Sequence, residues 1–308
     1  MTYSITGRCA RTGDIGLALA TFDFIFGPVH DAELKPTWSL ALRDAGAVTC
    51  QANTRSGFAV KVIERLRAGE SAPAALETAI ADEANRRLFQ VAVVDSRGRA
   101  AAFTGGGALD WKGHLTGDGW AAAGNTLAGE QVVQAMGRTF EERPDTELPE
   151  RLLAALSAGR DAGGDRRGTR NAVLQVASET TDRRESGVMN LMGGLAFRVW
   201  EQDDPIGELA RLVALARPQS EFWALVQQAA RRFAELLPGS GLDLAALLPL
   251  SMREAVVRLR QAWAADPRAT PADLDLADRF LASLENARPD MADLKFEWVL
   301  SYLPQWIS

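Results

Sequence analysis

Thr2 stands directly behind Met1 at the head of the alternating run Tyr3-Ser4-Ile5-Thr6. Removal of the initiator Met would leave one residue carrying both a hydroxyl and a primary amine, which is a nucleophile with its own base. A threonine hydroxyl attacks poorly unassisted, whereas a terminal amine titrating at about 8 can take its proton near neutral pH. The small side chain at position 2 suits such processing. The plain alternative is an ordinary Met-Thr start with no catalytic consequence.

Three further segments carry chemistry-capable residues. In Ala162-Gly163-Gly164-Asp165-Arg166-Arg167-Gly168 the glycines bring backbone amides close to a neighbour, and an Asp flanked by Arg can orient an amine or hydroxyl. The spacing is neither a dinucleotide fingerprint nor a phosphate loop, and a structural turn with an ion pair fits it equally well. In Gly124-Asn125-Thr126-Leu127-Ala128-Gly129, the Asn125 carboxamide can serve as an oxyanion donor or as a cap or turn residue. Phe103-Thr104-Gly105-Gly106-Gly107, followed by Asp110-Trp111-Lys112-Gly113-His114, reads as a Gly-rich loop lining a pocket for a polar substrate. Asp110 and His114 are half of a Ser/His/Asp set, but no G-x-S-x-G elbow accompanies them. Loop or hydrogen-bonding duty is the better reading of His114, and of His30. Cys9 and Cys50 read as small packed residues, since neither adjoins a recognisable catalytic His.

The composition narrows the class. A 47% hydrophobic and 24% charged chain of 308 residues is globular, with length for one large core and a smaller appendage. A net charge of -6 argues against a dominant nucleic-acid surface. Two cysteines give no disulfide framework, and no Cys or His pair has close metal-ligand spacing, so neither a metal nor a cofactor is expected. No apolar run approaches the roughly 20 residues that cross a membrane. With no apolar leader, the expected location is the cytoplasm.

The elements that must position these residues follow from periodicity. Of the 27 glycines, 24 precede residue 196, so a turn-rich, strand-rich part is followed by a helical one. Tyr3 to Ala20 reads as two strands joined at Arg11-Thr12-Gly13-Asp14. Residues 45–52 and 88–95 are further apolar strands, the second turning at Ser96-Arg97-Gly98-Arg99 into 100–104. Phe58, Val62, Ile63 and Leu66 have helical spacing, and Ser71-Ala72-Pro73 caps a second helix through Ala81. Val132 to Phe140 and Leu148 to Leu156 form another helical layer before strands at 172–177 and 195–200. Helices must therefore cover both faces of largely antiparallel sheets. Beyond Ile206, amphipathic runs beginning at Leu209 and Phe222 lead into three more. Trp223, Trp263, Trp298 and Trp306 sit in this part, as core residues or as a partner or dimer surface.

The ordered motifs Thr2-Tyr3-Ser4-Ile5, Gly46-Ala47-Val48-Thr49-Cys50-Gln51, Leu66-Arg67-Ala68-Gly69, Ala101-Ala102-Phe103-Thr104-Gly105, Gly124 to Gly129 and 162–168 resemble the family called domain of unknown function 1028. The resemblance spans about residues 2 to 215. That family is held to resemble the N-terminal-nucleophile hydrolases, which implies an α+β fold, a four-layer αββα sandwich over 1–215, here with a helical extension over 216–308. It further implies an amidohydrolase acting on a small amide substrate, with Thr2 as nucleophile, Asn125 as oxyanion or pocket donor and Asp165 as orienter of the terminus. Gln51 and Thr104 match family pocket positions, and Asp110, His114 and Arg166 join them as pocket candidates. Cys9 stands where the family usually has Asp, Arg170-Asn171 where Gln-Ser is common, and His30 to Lys35 is an extra segment. The competing expectation is a non-enzymatic ligand-binding or homo-oligomerising module on the same scaffold.

Overall fold

The computed structural model describes residues 2–22, 39–54, 57–178, 194–200, 202–236, 238–239, 241–286 and 289–296. His30 to Lys35, Trp298 and Trp306 lie outside the described residues. The first elements are β1 (Thr2–Arg8), β2 (Ile15–Thr21), β3 (Ser39–Leu42), β4 (Gly46–Ala52), α1 (Phe58–Arg67), α2 (Ala72–Ala81), β5 (Phe89–Asp95), β6 (Ala100–Thr104), β7 (Lys112–Gly117) and β8 (Trp120–Asn125). They are followed by α3 (Gln131–Glu141), α4 (Leu148–Asp161), β9 (Asn171–Ala177), β10 (Gly194–Val199), α5 (Pro205–Leu236), α6 (Leu244–Leu247), α7 (Met252–Ala265), α8 (Pro271–Asn286) and α9 (Pro289–Ala292).

The strands form two sheets, one in the order β10-β9-β2-β1-β8-β7 and one in the order β3-β4-β5-β6. Every described strand pairing is antiparallel. The chain is therefore α+β. The β1–β2 reversal sits at the expected turn: Cys9 N donates to Asp14 O at 2.8 Å, and Gly13 takes the positive φ of 77° that the reversal needs. Ser71 caps α2 by accepting from Ala74 N, and the early-turn Pro73 costs no helical hydrogen bond.

Alternation within each strand decides what meets what. In β1, Tyr3 and Ile5 face outward into a core with Val133, Met136, Phe140, Leu152 and Leu156 of α3 and α4. In the second sheet, Val48, Cys50, Phe89, Val91 and Val93 face α1 and α2. The opposite strand faces meet each other. There, Ile15, Leu17 and Leu19 pack on Ala41, Ala47 and Val94, and a separate alanine cluster joins Ala92 to Ala121 and Ala123. Helix pair, sheet, sheet and helix pair are thus stacked in that order, and the seam between the sheets carries two kinds of surface. Its larger apolar part lies under β2 and β9; its polar groups lie where β1 and β8 face β4 to β6, beside the alanine cluster.

Contacts divide the described chain into two units, one up to Val213 and one from Ala214. In the second unit, Phe222, Val226, Met252, Val256, Phe280 and Leu284 form one core, and Phe233, Leu247, Leu259 and Trp263 belong to another. Two expectations are corrected. The runs starting at Leu209 and Phe222 are one helix of 32 residues, its backbone continuing through position 218. Lys112 and His114 belong to strand β7, not to a Gly-rich loop: the register Lys112↔Asn125 and His114↔Ala123 ties this segment to β8. No described helix is long and apolar enough to cross a membrane.

Candidate functional site

Register brings polar residues of separate strands into line. Thr2 pairs with Thr21 and Thr21 with Asn171, while Tyr3 pairs with Gly124, so Thr2 and Asn125 end neighbouring strands on the same side. Asn125 in turn pairs with Lys112. Opposite this row, Gln51 pairs with Gln90 and Gln90 with Thr104. The two rows face each other across the polar part of the seam.

Hydrogen bonds join them. Thr2 Oγ1 donates to Thr21 Oγ1 at 3.2 Å. Gln51 Nε2 donates to Ser4 Oγ at 2.6 Å and to Ala123 O at 3.3 Å, and the Ser4 and Thr49 hydroxyls share a bond of 2.8 Å. Among the described residues Gln51 Oε1, which is buried, meets no hydrogen-bond partner. Asn125 Nδ2 donates to Gln90 Oε1 at 2.8 Å, and Gln90 Nε2 faces Gly124 O, Gly113 O and Thr104 Oγ1 at 2.8, 3.1 and 3.0 Å. Thr104 Oγ1 lies 2.9 Å from His114 Nδ1. Buried polar groups in such a network specify one arrangement, because a partner left orphaned bears its full desolvation penalty.

The three Gly-rich segments singled out above come together where β8 ends. After Asn125 the backbone takes a positive φ of 60° at Thr126, a left-handed conformation disfavoured for a β-branched residue. Thr126 N then donates to Leu109 O, Leu127 N to Trp111 O, Arg166 N to Thr126 O and Ala128 N to Gly164 O. Arg166 Nη2 also donates to Asp110 O at 2.6 Å. The strained turn is thereby clamped from both sides, and the Asn125 backbone with it.

The expected site residues occupy distinct surroundings. Thr2, Gln51, Thr104, Asn125 and His114 belong to the facing rows. Asp165 is buried, and its carboxylate accepts from Arg167 N, Nε and Nη2 at 3.0, 3.1 and 2.9 Å. Arg167 lies over the Phe22 ring, 4.7 Å from its centroid. The Asp110 side chain is exposed and pairs with Lys112 Nζ at 2.6 Å, so Asp110 and His114 form no dyad here. Partial burial holds the His114 imidazole below its ordinary value. Burial pushes the Tyr3 phenol up to about 12 and raises the Cys50 thiol. Burial would raise Cys9 as well, but hydrogen bonds with Thr12 outweigh it and bring that thiol below its ordinary value. Among the described residues no group of three His, Cys, Asp or Glu is arranged to hold a metal.

Motif reading passes over Gln90 and Thr21, and it contains Ser4, Thr49 and Asn171 without giving them a role. Their signal is present as polar alternation in otherwise apolar strands, as in Thr2, Ser4 and Thr6 against Tyr3 and Ile5. A lone Gln at the head of an apolar strand, as at position 90, is a costly residue to bury unless it is bonded.

All of these residues fall within 2–209, the stretch matched by the model of the family of unknown function DUF1028. The chain belongs to the DUF1028 family. Within it, the chain is similar to the crystal structure of protein SPO2555 from Silicibacter pomeroyi, itself described by the DUF1028 family model. The two share 29% identity over 70% of this chain and 85% of that one, with a TM-score of 0.59. No curated protein matches the chain. The family match ends inside α5, so the DUF1028 region holds both sheets and the candidate site, and the second helical unit lies almost wholly beyond it.

Proposed function

We propose that this DUF1028 protein is an N-terminal-nucleophile amidohydrolase acting on a small amide, with Thr2 as nucleophile once Met1 is removed. The observation that carries the reading is the shared position of the Thr2 hydroxyl and the Asn125 carboxamide, at one end of adjacent strands and on the inner sheet face. Helix pairs flanking two facing antiparallel sheets agree with the αββα sandwich of that superfamily, which the family is held to resemble.

The chemistry needs no metal. The freed Thr2 amine takes the hydroxyl proton as Oγ1 attacks the substrate carbonyl carbon. The carbonyl oxygen becomes an oxyanion that the second N–H of Asn125 Nδ2 meets, the first being held by Gln90. Collapse breaks the C–N bond, and the leaving amine departs with the proton carried by the Thr2 amine. The acyl group is left as an ester on Oγ1. Water, deprotonated by the same amine, attacks the ester carbon; the C–Oγ1 bond breaks, Oγ1 takes the proton back from the amine, and the acid is released. Asp165, already bonded to Arg167, shapes the clamp behind Asn125 in this scheme and gives up no proton.

Intact-mass measurement of protein from its native cell asks whether Met1 is lost. Processed protein is expected to turn over members of an amide library, Thr2→Ser to retain part of that turnover, and Thr2→Ala to lose it while keeping the fold. Equal turnover by folded Thr2→Ala would remove Thr2 from the mechanism and return the scaffold to the ligand-binding reading.

A further inference from the structure

We propose that Gln90 is the positioning residue that sets which way the Asn125 carboxamide points, and that Thr104 and His114 complete a one-way hydrogen-bond relay from Asn125 to the surface. Donor and acceptor identity fixes the direction of its inner half. Gly113 O and Gly124 O are backbone carbonyls and can only accept, and both lie against one end of the Gln90 carboxamide, at 3.1 and 2.8 Å. That end must be the NH2 group. Oε1 is then forced toward Asn125, and Asn125 must present its own NH2 to it, at 2.8 Å. The rotation of Asn125 about its last side-chain bond, which isolated Asn leaves free to flip, is thereby fixed by two main-chain oxygens it does not touch.

Gln90 Nε2 has no lone pair to offer, so the Thr104 hydrogen cannot point at it; Thr104 Oγ1, at 3.0 Å, shares the two Nε2 hydrogens with the main-chain carbonyls, and in the proposed relay the Thr104 hydrogen goes to His114 Nδ1, 2.9 Å away. In that relay Nδ1 is the acceptor and the ring proton sits on Nε2. A neutral imidazole suits this role, in keeping with the partial burial that disfavours its charged form. Gln90 is fully buried, so no solvent competes for its carboxamide. The orientation stands by itself; its consequence for turnover rests on the amidohydrolase reading.

Nitrogen-15 NMR of the full-length protein tests the relay without any substrate. The expected wild-type result is a neutral His114 protonated at Nε2, with a slowly exchanging Asn125 side-chain NH2. Thr104→Val should release His114 to the mixed tautomers of a solvated imidazole and leave the Asn125 signals in place. Gln90→Leu should shift the Asn125 NH2 resonances and speed their exchange at least tenfold. On any amide the wild type hydrolyses, Gln90→Leu should lower kcat about 100-fold, the scale of a misplaced catalytic group, with KM changed less than threefold. An Nδ1-protonated His114 in the wild type, or unchanged Asn125 signals in folded Gln90→Leu, overturns the proposal. Should Gln90→Leu not fold, the wild-type tautomer and the Thr104→Val spectrum decide it. Absence of wild-type turnover would count against the amidohydrolase reading, while the spectra would still decide the relay.

Discussion

Asn125 and Gln90 meet across the seam between the two sheets, amide nitrogen to amide oxygen at 2.8 Å, although each belongs to a different sheet. This one contact ties the end of β8 to the start of β5, and it makes both residues intolerant of replacements that look conservative. A change at either leaves a buried polar atom facing nothing, or facing its own kind.

Asn125→Asp is expected to be worse than Asn125→Ala. The alanine strands Gln90 Oε1, at a cost of about 1–3 kcal/mol. The aspartate sets oxygen against oxygen and must either bury a charge or hold a proton. Thermal unfolding at pH 7 should rank the wild type above Asn125→Ala and that above Asn125→Asp, and lowering the pH toward 5 should narrow the last gap.

Arg167→Ala should be strongly destabilising, by about 3–5 kcal/mol, because it leaves the buried Asp165 carboxylate without the guanidinium that bonds both its oxygens. Asp165→Asn introduced with Arg167→Ala should recover part of that loss. Urea unfolding of the two variants checks the order; a double variant no more stable than the single one would contradict it.

A methyl group at Gly105 has nowhere to go. The Cβ of Gly105→Ala would lie 2.3 Å from Arg87 O, a backbone atom fixed by its bond from Gly107 N. The expected cost is about 1–3 kcal/mol through displacement of the β6 end, seen as a lowered Tm. Gly106→Ala next door, where no atom lies within 4 Å, should cost far less.

The helical unit carries its own pH dependence. Asp273 accepts from Arg232 and from Thr270 N and Oγ1 at the start of α8, and the Arg232 bonds, followed by those of Thr270, lower its carboxyl from 3.8 to about 2. A lowered folded value means that the stabilisation is complete above the unfolded value of 3.8 and disappears as the pH falls through about 2. Hydrogen exchange of α7 and α8 amides between pH 5 and 2 should show protection falling in the wild type and a flatter profile in Asp273→Asn.

Much of the scaffold was legible because single-strand and single-helix periodicities are local properties. The β1–β2 hairpin, the capped helix α2 and the β5–β6 hairpin follow from turn chemistry and spacing within about twenty residues. β7 was not legible: Lys112, His114 and Thr116 alternate with Gly113, Leu115 and Gly117, and three glycines beforehand make the stretch read as loop. Only pairing with β8 gives it strand character. At the site, motif reading found Asn125 and Gln51 but missed Gln90, since a glutamine's role depends on what lies across the seam and not on its neighbours in the chain. Asp165 was legible as an ion-paired Asp beside glycines, whereas the choice of Arg167 over Arg166 as its partner was not. Arg166 turns instead to Asp110 O, a decision made by the loop packing around Thr126.

The divided seam has a consequence for how this lineage can change. Apolar cohesion between the sheets comes from Ile15, Leu17, Leu19, Ala47 and Val94 and from Ala92, Ala121 and Ala123, whereas the hydrogen-bonding rows stand on other positions of β1, β8 and the strands opposite them. Substitutions in the rows therefore draw on a different reservoir of free energy from those that keep the sheets together. A replacement confined to the rows leaves the Ile15, Leu17, Leu19, Ala47 and Val94 contacts in place and costs only what its own hydrogen bonds contribute, so the two kinds of change add instead of compounding.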